Sequence, residues 1–133
     1  MSEQNVRTVL STFEAFARRD DDGTFAVYAP DVEWSLENYS LWPDKPVFTG
    51  HEGIREFFRT WLQDFDGYES QALDPVDLGD RVLITVFDRA HGKGSGVPTE
   101  RYHAQVWTFD DGLVTRVEVW DDRERALAAY GPA

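Results

Sequence analysis

The sequence predicts a single α+β domain. Three N-terminal helices lie across one face of a curved, mostly antiparallel sheet that forms a cone-shaped barrel, and a short helix follows at the C-terminus. Three observations predict it. Apolar residues recur at helical spacing in the first half of the chain, and from Tyr68 onward four segments alternate with period 2 between glycine-containing turns. The 133 residues also suffice for one sizeable core, so residues 1–133 form one domain.

Val6, Val9, Leu10, Phe13, Phe16 and Ala17 define the first helix, with Ser2 as its N-cap and an end near Arg19, before Asp20-Asp-Asp-Gly23. A second short helix runs from Thr24 to Ala29 and stops at Pro30. Val32–Glu37 alternates as a strand, with Val32, Trp34 and Leu36 on one face. Asn38–Thr49, which holds Tyr39, Trp42, Pro43 and Pro46, reads as an irregular covering loop. The third helix starts at Gly50-His-Glu-Gly53 and carries Ile54, Phe57, Phe58, Trp61, Leu62 and Phe65 at core spacing. Strands follow at Tyr68–Asp77, Arg81–Ala90, Thr99–Phe109 and Leu113–Trp120. Asp121 or Asp122 caps the last helix, around Ala126, Leu127 and Ala128. Helices first and an antiparallel meander afterwards are the α+β signature, and they leave a cone-shaped space between the layers.

Thirteen Lys and Arg stand against 25 Asp and Glu, a formal charge of −12. Such a surface repels phosphate backbones and anionic lipid, so neither nucleic acid nor a membrane surface is an expected partner. With no cysteine there are no disulfides, thiolate metal sites or cysteine nucleophiles. The N-terminus lacks the apolar run of a signal peptide, and nothing reaches the length of a bilayer span. Cytoplasmic residence is the expectation.

Several segments resemble the nuclear-transport-factor-2-like superfamily, in its SnoaL-like and ketosteroid-isomerase-like branch. They are Phe16-Ala-Arg-Arg-Asp-Asp-Asp-Gly23, Tyr28-Ala-Pro-Asp-Val-Glu-Trp34, Thr49-Gly-His-Glu-Gly-Ile-Arg-Glu-Phe57, Val106-Trp-Thr-Phe-Asp-Asp-Gly112 and Val119-Trp-Asp-Asp-Arg-Glu-Arg-Ala-Leu127. The resemblance covers nearly the whole chain. It implies the cone fold, whereas function varies widely across that fold. Ketosteroid isomerases use an Asp base with a Tyr and a protonated Asp as oxyanion hole. Laid on that pattern, the base position reads Leu36, the tyrosine position Thr12 or Phe13, and the protonated Asp position Gln105. Steroid isomerisation by that mechanism is therefore not expected. In the limonene-epoxide-hydrolase-like pattern, Glu118 and Asp88 fall at or near two Asp positions, but Val86 replaces the Arg, and Trp34 and Leu36 replace the Tyr and Asn. The resemblance further implies that Leu36, Trp34, Tyr39 and Trp42 contact an apolar ligand.

Strand periodicity yields a site independently. Val82, Ile84, Val86 and Asp88 share one face, as do Arg101, His103, Gln105 and Trp107 on the next strand. Antiparallel pairing then brings Asp88 to Arg101 or His103. An Asp beside His fixes the imidazole tautomer and raises its basicity. The same contact is equally what a plain cross-strand ion pair would show. Glu118 faces the same way if Trp120 lies beside these residues; burial among tryptophans then suits it to general-acid work. The expected catalytic set is His103 as base, Asp88 as its partner, Glu118 as acid and Gln105 as carbonyl or oxyanion donor. Trp34, Leu36, Tyr39, Trp42, Arg101, Trp107 and Trp120 are the expected ligand contacts. Phe13, Phe16, Phe57 and Trp61 are read as core, His51 as a capping or exposed residue and His91 as solvated. The three histidines lack metal-ligand spacing, so neither metal nor other cofactor is expected. Gly92–Gly96 lacks the strand-to-helix context of a phosphate loop and reads as a hairpin tip.

The functional expectation is a small-molecule-binding SnoaL-like protein, a homodimer through its exposed sheet face. Its ligand would be an apolar, polyketide- or terpenoid-like metabolite. Any catalysis would be cofactor-free isomerisation, cyclisation, dehydration or hydrolysis. A non-catalytic ligand-binding or dimeric assembly module of the same fold remains the alternative.

Overall fold

Helix α1 spans Glu3–Ala17 and turns Val9, Thr12 and Ala15 inward. The computed structural model describes residues 3–42 and 45–131, so the expected cap Ser2 and the loop residue Pro43 lie outside the described residues. Arg19, at φ 57°, ends the first helical run. Helix α2 covers Asp21–Phe25, not Thr24–Ala29. The acidic run that reads as a helix breaker is a helix start, because the Asp20 carboxylate accepts from Gly23 N at 3.0 Å and caps the turn.

Strand β1 is longer than expected, Tyr28–Asn38, and β2, Val47–Thr49, pairs antiparallel with it inside the segment read as loop. Helix α3 follows at Gly50–Leu62. Strands β3 (Phe65–Asp77), β4 (Arg81–Gly92), β5 (Pro98–Asp110) and β6 (Leu113–Trp120) form the meander. Asp111 at φ 52° and Gly112 at φ 82° make the two-residue β5–β6 turn, a left-handed pair that suits hairpin twist. Helix α4, Arg123–Tyr130, is capped by Asp122, which accepts from Arg125 N at 2.8 Å.

The six strands form one mixed, unclosed sheet in the order β2-β1-β6-β5-β4-β3. Every neighbouring pair is antiparallel except β1 and β6, which run parallel. Helices α1 and α3 pack on one face and enclose the larger core, with Val32, Ile54, Val82, Ile84, Trp107 and Val117 at its centre. Helix α4 covers part of the opposite face through a smaller cluster of Leu83, Ala104, Val106, Trp120 and Ala126. The central strands β5 and β6 are thus buried on both sides.

Candidate functional site

Pairing between β4 and β5 sets Asp88 opposite Arg101, Val86 opposite His103, Ile84 opposite Gln105 and Val82 opposite Trp107. This face turns toward the helices, where a cavity of about 70 Å³ lies among Phe13, Phe16, Tyr28, Trp34, Leu36, Tyr39, Phe57, Phe58, Trp61 and Trp107. Its polar lining is confined to a few groups: Asp88, His103 and Gln105, with Tyr68 and Ser70 from β3 and Thr12 and Thr24 from the helices. Phe13, Phe16, Phe57 and Trp61, read from sequence as core, line this space. A cone between helices and sheet puts the same rings at core spacing and at the cavity wall.

The polar groups form two relays that meet at Asp88 and His103. The indole N–H of Trp107 donates to Gln105 Oε1 at 2.9 Å, and Gln105 Nε2 lies 3.1 Å from His103 Nε2. An indole N–H can only donate, so the Gln105 carbonyl faces Trp107 and its NH₂ faces the imidazole. His103 Nε2 therefore accepts, and the proton of the neutral ring sits on Nδ1. Nδ1 lies 3.4 Å from Asp88 Oδ2 and makes no hydrogen bond among the described residues. From the other side, Trp61 Nε1 donates to the Tyr68 hydroxyl at 2.8 Å, that hydroxyl feels the Asp88 charge, and Ser70 Oγ–H donates to Asp88 Oδ1.

Burial holds His103 below the ordinary imidazole pKa; the Asp88 carboxylate pulls partly the other way, and the Arg101 charge lowers it further. The ring is neutral at pH 7. Burial, reinforced by the Asp88 charge, pushes the Tyr68 hydroxyl well above the usual phenol range, so Tyr68 is a hydrogen-bond donor with its proton held. Tyr39 is also raised, first by burial, with neighbouring Arg101 opposing. Trp34 Nε1 is buried without a hydrogen-bond partner among the described residues.

Four expected site residues lie outside the cavity lining. On β6, Val117 and Val119 stand opposite Trp107 and Gln105, while Glu118 and Trp120 stand opposite Val106 and Ala104 and face away from the cavity. Glu118 is 4% exposed under α4, where its two oxygens accept from the Tyr130 hydroxyl at 2.9 and 2.7 Å. Arg116 Nε is 3.7 Å from the same carboxylate and also reaches Glu33 and Glu37 of β1. Glu118 therefore has no contact with the imidazole or the cavity. Trp120 packs edge-on against Tyr130. Trp42 stands one layer behind the lining, in ring contact with Phe48, Phe57 and Trp61, and donates to Lys45 O at 3.0 Å. Arg101 sits at the outer edge, its guanidinium 5.9 Å from the Trp61 ring centre. His51 is tied to Tyr28 O at 3.1 Å and packs on Phe25. Sequence reading missed Tyr68 and Ser70. Their alternation with Ala72 on the strand beside Asp88 was the available signal.

The family model for the SnoaL-like domain matches residues 9–117. The chain belongs to the SnoaL-like family. No curated protein sequence matches it. Among solved structures, this SnoaL-like chain is similar to an NTF2-like protein of unknown function from Burkholderia pseudomallei, at 25% identity and a TM-score of 0.78, covering 99% of this chain and 100% of that one. TerC, co-crystallised with polyporic acid, shares 26% identity at a TM-score of 0.75, with 97% and 98% covered. A putative SnoaL-like polyketide cyclase from Jannaschia has the same fold at 19% identity and a TM-score of 0.75, with 98% and 93% covered.

Proposed function

We propose that this SnoaL-like protein binds a ring-bearing, mostly apolar metabolite in the aromatic cavity and performs cofactor-free proton transfer on it. The observation that carries the reading is the buried Asp88–His103 pair among otherwise aromatic walls. The Trp107–Gln105 chain sets the Nδ1–H tautomer, Asp88 faces that N–H at 3.4 Å, and the Nε2 lone pair is the base. A substrate acid displaces the Gln105 amide from Nε2, and the freed N–H then serves the developing enolate-type oxygen. Ser70 holds the Asp88 carboxylate in place. With Glu118 on the far face, the imidazolium itself returns the proton, which suits isomerisation or an aldol-type cyclisation. Similarity to TerC, co-crystallised with polyporic acid, supports a ring-bearing ligand. The unpaired donor on Trp34 favours a ligand that brings an acceptor oxygen.

Exchange of α-protons for deuterium in a small cyclic ketone such as 2-indanone reads this chemistry without the natural substrate. The protein should accelerate exchange, and folded His103→Asn should lose roughly 10²- to 10⁴-fold of the acceleration. Undiminished exchange in that variant refutes the role of His103.

A second reading, a non-catalytic binder, is favoured by one observation: Nε2 is already occupied by Gln105. Tight ring binding with no exchange above buffer decides for it. Under either reading we propose a homodimer through the sheet face beside α4, where Tyr102 is 65% exposed and packs on Phe87 at 4.8 Å between ring centres.

A further inference from the structure

A second space lies beside the cavity. A vestibule of about 580 Å³ lies between the end of α1, α2, α3 and the start of β3, and it shares Phe16, Thr24, Phe58 and Tyr68 with the inner cavity. The two volumes differ in kind. An engineered cavity of about 150 Å³ admits benzene, so the inner 70 Å³ is too small, as it stands, for even one whole ring. Any ligand of the proposed class must extend through the shared walls into the vestibule.

Three guanidinium groups border that outer space: Arg19, Arg55 and Arg59. Arg55 is committed, with Asp21 at 3.0 Å, Glu52 at 3.6 Å and its own face on the Phe25 ring. Arg19 has no carboxylate partner among the described residues. It donates to Phe16 O at 3.1 Å and Tyr68 O at 3.0 Å, and lies over the Phe16 ring at 4.7 Å. This strap ties the end of α1 to β3 at two residues that line both spaces and leaves donors of its five unused. Arg59, exposed on α3, has no hydrogen bond or ion pair among the described residues. Three carboxylates share the rim. Asp21 is paired with Arg55, Asp20 caps α2 and stands 3.9 Å from Arg18, and Asp66 alone has no cationic partner among the described residues. In a chain of net charge −12, three guanidiniums here balance three carboxylates, and two of the guanidiniums, Arg19 and Arg59, have no carboxylate partner among the described residues.

We infer that the vestibule is the outer half of the ligand site and that it takes a carboxylate, bound by Arg59 and by the free edge of Arg19, while the ring of the same molecule lies against the shared aromatic walls and reaches only in part into the inner cavity. This rests on reading the inner cavity as a ligand site. It adds that the ligand is an acid, with the carboxylate some way from the ring. Guanidinium groups match a carboxylate with paired, charge-assisted hydrogen bonds, and Arg59 remains able to reorient because nothing holds it.

The test compares three probes of one shape: 3-phenylpropanoate, 3-phenylpropanol and 3-phenylpropylamine. Each is titrated into the full chain at low salt by tryptophan fluorescence, since Trp34, Trp61 and Trp107 line the cavity. The acid should bind about tenfold more tightly than the alcohol, and added salt should shrink that margin. Arg59→Ala should remove most of the margin while the alcohol binds as before, Arg59→Lys should restore part of it, and Lys93→Ala on the distant hairpin tip should change nothing. Equal binding of acid and alcohol, or tightest binding of the amine through Asp66, overturns the carboxylate inference and leaves the cavity reading intact. Failure of all three probes to bind overturns both.

Discussion

A neutral, buried His103 makes protein stability depend on pH in a way that one substitution should remove. The folded pKa is lowered, chiefly by burial, from an ordinary value of 6.5. Below that value the unfolded chain binds a proton at this residue that the folded chain does not. Stability therefore rises with pH through this window and is lost as pH falls from 6.5 toward the folded value. For a ring that stays neutral when folded, the contribution lost between about pH 7.5 and about pH 5.5 approaches 1.4 kcal/mol, one proton over one effective unit. His103→Gln keeps a polar side chain but has no such proton. Urea unfolding of both proteins at the two pH values isolates the effect. The difference in unfolding free energy between wild type and variant should shift by up to about 1.4 kcal/mol, with wild type losing the more on acidification. His51, His91 and the many carboxylates are common to both proteins and cancel. Asp88→Asn should steepen the wild-type dependence, because the Asp88 charge is the one influence that raises the His103 pKa. Parallel profiles for wild type and His103→Gln would refute the account of a desolvated, neutral imidazole.

Two further outcomes concern the opposite face. Tyr130→Phe deprives the buried Glu118 carboxylate of the hydroxyl that bridges both its oxygens, which should cost about 1.5–3 kcal/mol by chemical denaturation; unchanged ring binding in the same variant checks that Glu118 is apart from the cavity. Tyr102→Asp should convert the proposed dimer to monomer in sedimentation or light scattering, and a wild-type monomer at tens of micromolar would dismiss that interface.

What the sequence made legible follows where one face of a strand is buried and the other is not. Along β4, Val82, Ile84, Val86 and Asp88 share one buried face, with the more exposed Thr85, Phe87 and Arg89 between them and only Leu83 buried on the other side, and the pairing across the hairpin then carries His103, Gln105 and Trp107 to the same side. The strand β6 defeated the same argument. Val117, Glu118, Val119 and Trp120 are all buried because α4 covers what would otherwise be the solvent side, so alternation carries no sign of direction. A register shift between Thr108 and Phe109 also separates the facing of β6 from a simple count across the turn. Tyr68 and Ser70 escaped notice because β3 is an edge strand, mostly half-buried, and irregular between Asp66 and Glu69. Helix α2 was displaced because Asp20 acts as a cap, a role that an acidic run near glycine conceals among its neighbours.

The parallel contact between β1 and β6 has a bearing on how the molecule is assembled. Strands β3 to β6 are joined by short hairpins and can zip together from local contacts, whereas Glu33 meets Arg116 only after the chain closes a loop of more than eighty residues. Long loops close late, since their entropy is paid before their contacts reward it. Trp34, Leu36 and Tyr39 arrive with β1, while Asp88 and His103 belong to the meander. The relays can thus take shape on a half-formed sheet, but the chamber around them is sealed only by the last strand to dock. Ligand binding is on this account a readout of the finished fold, and weakening the Arg116 clamp would slow maturation of the site more than it disturbed the chemistry within.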